Sequence, residues 1–138
     1  MPIFALHNID QVKGKTKFYK LEIDGVCEFD KFCKELERSK EGKKILNTIY
    51  AIMDSASNLK HLPKTKFREL KGRRASDKIK DYELKKGDNR IYMFMDSGYV
   101  VVFAGTKNKQ DQDIARLRRI KTEYKETTND NQRRIIKK

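Results

Sequence analysis

A chain of 138 residues has the length of one ordinary domain, and no apolar run in it reaches the roughly 18 residues that a membrane-spanning helix needs. Lys and Arg number 33 against 20 Asp and Glu, a formal net charge of +13 that repels itself on a folded surface unless something anionic lies against it. Nucleic acid, an anionic membrane face and an acidic protein are the partners this charge admits, with a merely solvated basic surface as the bland alternative.

The opening MPIFALHNID has neither the charged start nor the long apolar core of a secretory signal, so the expected compartment is the cytoplasm. Residues 1–17 carry Gly14 among Lys13, Lys15 and Lys17 without a sustained period, and read as an N-terminal extension with at most a short strand. Over 18–23, Tyr19, Leu21 and Ile23 alternate with Lys20 and Glu22, the two-residue period of a half-buried strand. After an Asp24-Gly25 turn, Val26, Phe29, Cys33 and Leu36 recur at helical spacing, with Asp24 as the expected N-cap and an end near Ser39. A second helix has Glu41 in its first turn and a stripe of Ile45, Leu46, Ile49, Ile52, Met53 and Ala56. Two such helices after one strand read as a hairpin laid on a sheet still to come.

Cys27 and Cys33 are the only cysteines, and their spacing puts them on roughly opposite sides of a helix, which suits neither a disulfide nor zinc. Both are expected reduced, with Cys33 the more buried. His7 and His61 are too far apart to suggest a metal cluster, so neither metal nor cofactor is expected.

Four short segments, 67–70, 82–85, 90–95 and 99–104, are separated by Gly-, Asp- and Asn-containing breaks, the pattern of an antiparallel meander. Asp96-Ser97-Gly98 is the clearest hairpin turn, and the unbroken Val100-Val101-Val102-Phe103 predicts a central strand covered on both faces. Asp111, with Asp113 in the first turn, opens a third helix carrying Ile114, Leu117, Ile120 and Tyr124 on one side and Arg116, Arg118, Arg119 and Lys121 on the rest. The fold class expected is α+β: a strand and helical hairpin packed on a twisted antiparallel sheet, with a closing C-terminal helix.

The positive charge is clustered. Residues 60–74 hold Lys60, Lys64, Lys66, Arg68, Lys71, Arg73 and Arg74 against Glu69 alone, and residues 116–138 hold nine basic side chains against three acidic ones. Such clustering favours a surface that tracks phosphates, although a Lys-rich loop and a solvated helix face of the same sign would look alike. A membrane partner is disfavoured, because Ile114, Leu117 and Ile120 are needed to cover the sheet. On the strands, Glu83 and Lys85 project opposite to Tyr82 and Leu84, while Arg90 and Tyr92 share a face with Phe94. Lys85 and Arg90 then sit on neighbouring strands across the Gly87-Asp88-Asn89 turn, and Lys107 and Lys109 follow the central strand directly. His61 reads as a loop residue among cations.

The strings FRELKG, YELKKGDNRIYMF, GYVVVFAGTKNK and DIARLRRIKTEYKE, in that order, resemble the RelE/ParE superfamily of bacterial toxins and, within it, the HigB-like branch. The resemblance spans residues 18–126, which makes 127–138 a basic, flexible tail. It implies the toxin component of a type II toxin–antitoxin system: a ribosome-dependent mRNA endonuclease that enters the ribosomal A site, works without metal and is neutralised by a cognate antitoxin protein. A ParE-like relative that inhibits DNA gyrase, or a purely RNA-binding one, is the alternative. By motif, Lys85 stands at the Arg of the family's YELR strand, Glu83 at its Glu, Arg90 at the Arg of the following YR strand, and Lys107 and Lys109 near its KK turn. The chain departs from the pattern with Lys85 in place of Arg, Asn89 in place of an aromatic before Arg90, and no Tyr early in the last helix.

Cleavage by the substrate's own 2′-hydroxyl needs a base, cations for the phosphorane charge and an acid for the departing 5′-oxygen. Arg90 is the expected phosphate clamp, since its planar fork matches phosphate oxygens and keeps its charge. Lys85 serves as base only if neighbouring cations depress it; Glu83 is the competing base, and equally a cross-strand ion-pair partner. Tyr92 is either a stacking platform or core. Lys64, Lys66, Arg68, Lys71, Arg73, Arg74, Arg116 and Arg119 are the expected contacts to mRNA and ribosomal RNA.

Overall fold

The computed structural model describes residues 2–129 and 135–137. The N-terminal stretch is not an appendage: Phe4–Asn8 form β1, and Phe4, Ala5 and Leu6 are all buried. Three successive buried side chains mean that both faces of the strand are covered, which erases the two-residue period by which a half-buried strand is recognised. Phe18–Ile23 form β2, antiparallel to β1 with Leu6 opposite Leu21.

Asp24 and Gly25 both take positive φ (50° and 84°) in the turn that follows. Asp24 is not a helix cap. Its Oδ1 accepts from the Ile3 N–H at 2.8 Å and its own N–H donates to the Ile3 carbonyl at 2.9 Å, so it ties the turn to the N-terminal strand. The first helix, α1, spans Glu28–Leu36 behind Cys27, whose side chain makes no capping hydrogen bond. The second, α2, spans Lys40–Ser57; Ser39 caps it through a 2.9 Å bond from the Gly42 N–H, and the expected stripe is buried at Leu46, Ile49, Ile52, Met53 and Ala56. A side chain at Gly42 would collide with the Leu36 backbone, so the tight α1–α2 corner requires glycine. Both thiols are free, and burial, eased by the Tyr50 hydroxyl 3.6 Å away, pushes Cys33 up to about 11.

The meander forms as expected: Phe67–Glu69 (β3), Asp81–Lys86 (β4), Asn89–Met95 (β5) and Tyr99–Thr106 (β6) pair antiparallel in sequence. The sheet as a whole is mixed, however, in the order β3-β4-β5-β6-β2-β1, with the short Ile135–Lys137 (β7) lying parallel to β1. The break in the antiparallel pattern falls where β2 joins β6 in parallel, Tyr19 opposite Val100, because the chain leaves β2 through the helical hairpin and returns from the far edge. After a single 3-10 turn at Lys107–Lys109, α3 runs Gln110–Asn129, beyond the expected end of the domain at 126. Of the tail expected over 127–138, residues 130–134 and 138 lie outside the described residues.

Apolar clusters lie on both faces. Phe29, Cys33, Ile49, Ile52 and Met53 of α1 and α2 pack on Leu84, Ile91, Met93 and Val101, while Leu117, Ile120 and Tyr124 of α3 pack on Phe4, Leu21, Tyr92, Phe94, Val102 and Phe103. A bulge in the β5–β6 pairing, between Tyr92 and Met93, turns both Val102 and Phe103 toward α3. The unbroken apolar run 100–103 is thus the mark of a central strand sandwiched between helical layers, as its sequence predicts.

Candidate nucleic-acid interface

Lys85 and Arg90 are direct register partners on β4 and β5, closed by the Gly87-Asp88 turn. Alternation puts both on the α3 face of the sheet, since Glu83 reaches Gln110 of α3 and Tyr92 packs in the α3 cluster. The Lys107 N–H donates to the Asp88 carbonyl at 3.0 Å and its ammonium lies 3.4 Å from Asp88 Oδ1, which lays the start of the 3-10 turn over the hairpin. Lys109 lines an adjoining cavity of about 310 Å³ with Lys107, Gln110 and Asp111. One end of the sheet therefore gathers Lys85, Arg90, Lys107 and Lys109.

Within that cluster Arg90 Nη1 donates to the Gly87 and Asn89 carbonyls at 2.7 and 3.0 Å, so the side chain is held over the turn while Nη2 makes no hydrogen bond within the described residues. Lys85 is half-buried, 4.0 Å from Glu83 Oε1. A cation beside a carboxylate is suited to holding phosphate charge and donating a proton, not to accepting one.

Glu83 is not at the surface. It is fully buried, with Oε1 accepting from Arg68 Nε at 2.9 Å and Oε2 from Gln110 Nε2 at 2.6 Å. The competing-base role is thereby corrected to a structural one: Glu83 ties β3 and the start of α3 to β4. Glu83→Gln should accordingly lower stability by about 1–3 kcal/mol, read by urea unfolding, because it leaves Arg68 without a full charge partner. A cleavage-rate loss at unchanged stability would restore the catalytic reading. An exposed carboxylate in the hairpin turn itself is instead Asp88, which its sequence signal, a Gly-Asp hairpin between Lys85 and Arg90, marks only as a turn.

The expected RNA contacts divide. Arg68 is committed to Glu83, and Arg116 pairs with Glu28 of α1 while its guanidinium stacks on the Phe103 ring at 4.4 Å from the centroid, so neither is a free surface cation. Lys64, Lys66, Lys71, Arg74 and Arg119 are exposed. Arg73 is half-buried, its Nε donating to the Asp77 carbonyl at 3.0 Å with Glu69 at 3.6 Å. His61 is an exposed loop residue. Tyr92 is buried against Phe103, and burial with the nearby Glu83 and Asp113 carboxylates holds its phenol well above the usual range, so it belongs to the core and not to a stacking platform.

Lys121, expected on the solvated side of α3, is buried, with its ammonium against Asp77 Oδ2, 2.7 Å from Asp81 Oδ1 and donating to the Ile79 carbonyl at 2.8 Å. Arg118 Nε bonds Asp81 Oδ2 at 3.0 Å, and Lys125 reaches Asp77 at 3.2 Å. Burial alone would raise the Asp77 carboxyl; hydrogen bonds from Lys121, the Ile79 N–H and Lys125 outweigh it and hold the group below the usual carboxylate range. The signal was present in the helical period, since position 121 falls between Leu117 and Tyr124 on the apolar stripe.

Among the described residues no helix is long and apolar enough to cross a membrane, and no group of three or more His, Cys, Asp or Glu is placed to hold a metal ion. Compared with protein-family models, with curated proteins and with solved structures, the chain finds no match.

Proposed function

We propose that this protein is an mRNA endonuclease acting on the ribosome, the toxin of a type II toxin–antitoxin pair held in check by a cognate antitoxin protein. The observation that carries the reading is the placement of Lys85, Arg90 and Lys107 at one end of the sheet, with Arg90 and Lys107 held on the Gly87-Asp88 turn. A phosphodiester laid at that end of the sheet meets Arg90 Nη2 and two ammonium groups, an arrangement that stabilises a dianionic phosphorane. The substrate 2′-oxygen attacks phosphorus, its proton passes to Asp88, the bond from phosphorus to the 5′-oxygen breaks, and Lys85 protonates the departing oxygen. The products are a 2′,3′-cyclic phosphate and a 5′-hydroxyl. Exposed Lys64, Lys66, Lys71, Arg74 and Arg119 supply the contacts to ribosomal RNA and mRNA.

Burial of Glu83 favours one rival, an RNA-binding relative that keeps the cationic surface without a strong base. Purified protein, ribosomes and a short mRNA decide between them. Cleavage yielding cyclic-phosphate and 5′-hydroxyl ends, blocked by a single 2′-deoxy substitution at the cut position, is the expected result; binding without cleavage selects the rival.

A further inference from the structure

The loop after β3 and the middle of α3 enclose a cavity of about 510 Å³ whose lining includes Arg73, Arg74, Ser76, Arg118, Arg119 and Lys125. Three of these cations are held from within: Arg73 by Glu69 and the Asp77 carbonyl, Arg118 by Asp81 and the Lys71 carbonyl, Lys125 by Asp77. The side chains of Arg74 and Arg119 are exposed and make no ion pair or hydrogen bond among the described residues. The cleft thus presents two unengaged guanidinium forks over a floor whose acids are already matched by cations, a setting that attracts an external anion.

Strand β3 links this cleft to the cationic end of the sheet. At one end the Lys85 N–H donates to the Lys66 carbonyl at 2.8 Å; at the other the Leu70 N–H donates to the Asp81 carbonyl at 2.8 Å, and the Lys71 carbonyl accepts from Arg118. The five residues from Lys66 to Leu70 span about 14 Å, the length of about four stacked nucleotides. As the edge strand, β3 has one side free, and exposed Lys64, Lys66 and Lys71 flank it.

We infer that Arg74 and Arg119 form a second phosphate-binding point, and that a single RNA strand lies along the β3 edge from the Lys85–Arg90 end to this cleft. The inference rests on the RNA reading above and adds a path and a footprint to it. A polymer with evenly spaced charges fits two cationic points joined by a basic edge better than a compact anion, which would occupy one of them.

The test uses fluorescence anisotropy with 2′-O-methyl oligoribonucleotides, a dinucleotide and an octanucleotide, which bind but cannot be cut. Arg74→Ala/Arg119→Ala should weaken the dinucleotide less than the octanucleotide, which loses on the order of tenfold, and should reduce the octanucleotide's slope of log K against log salt by about 0.7, the amount for one phosphate on a single strand. Equal weakening of both probes, or an unchanged octanucleotide, overturns the inference. So does a double variant that loses binding to a hexaglutamate peptide while keeping the octanucleotide, which would give the cleft to an acidic protein. Both side chains are exposed and unpaired, so the variant should unfold at the wild-type urea midpoint. Length-dependent binding by a protein that cuts no RNA would keep the cleft and discard the nuclease; cutting with no length effect would do the reverse.

Discussion

Replacing Lys121 by methionine is expected to destabilise the protein by about 3–5 kcal/mol, because it strips the cation from between two carboxylates in the interior. Lys121 is 1% exposed and Asp81 0%, so water cannot compensate for the loss. The effect has a pH signature. The Asp77 carboxyl is held below its ordinary value, so it contributes stability above its unfolded pKa of about 4, and that contribution is lost as pH falls through the lower folded value. In Lys121→Met this acid-side loss should shrink, since the first of the hydrogen bonds that outweigh Asp77 burial is gone. Urea unfolding at neutral pH and across the acid range measures both; a neutral-pH change below about 1 kcal/mol would mean that solvent reaches the pair.

The second large effect falls on activity. Arg90→Ala should lower single-turnover cleavage by about 10²–10³-fold, the usual consequence of removing a group that stabilises transition-state charge. Stability should change by no more than about 1 kcal/mol, since the side chain's internal bonds, at 2.7 and 3.0 Å, go to carbonyls of an exposed turn. Arg90→Lys should recover little, because one ammonium cannot both hold the Gly87 and Asn89 carbonyls and reach the phosphate. A loss of several kcal/mol with an unchanged rate would reassign Arg90 to holding the hairpin.

The layers of this fold were legible wherever a periodic pattern met one buried face. The α2 stripe, the alternating β2 and the Gly87-Asp88 and Asp96-Gly98 turns all stand where their residues predict them. What escaped was set by contacts between distant segments. The strand Phe4–Asn8 shows no alternation because both its faces are covered, and the parallel β2–β6 pairing has no local sign at all. That Lys85 and Arg90 lie on neighbouring strands was readable from the turn residues, while their direct pairing is set by the two-residue Gly87-Asp88 hairpin. The burial of Glu83 and the diversion of Arg68 and Arg116 into ion pairs depend on α3 and α1 arriving from elsewhere, which spacing along one strand cannot express.

The cationic end of the sheet is the centre of this account, and its most direct test is in cells. Inducing the chain from a tight promoter and mapping RNA 5′ ends should reveal new cleavage sites within translated messages together with growth arrest, and Arg90→Ala should abolish both. Arrest without new RNA ends, or cleavage undiminished by Arg90→Ala, would contradict it; the first of these results would move the target from message to gyrase or another partner.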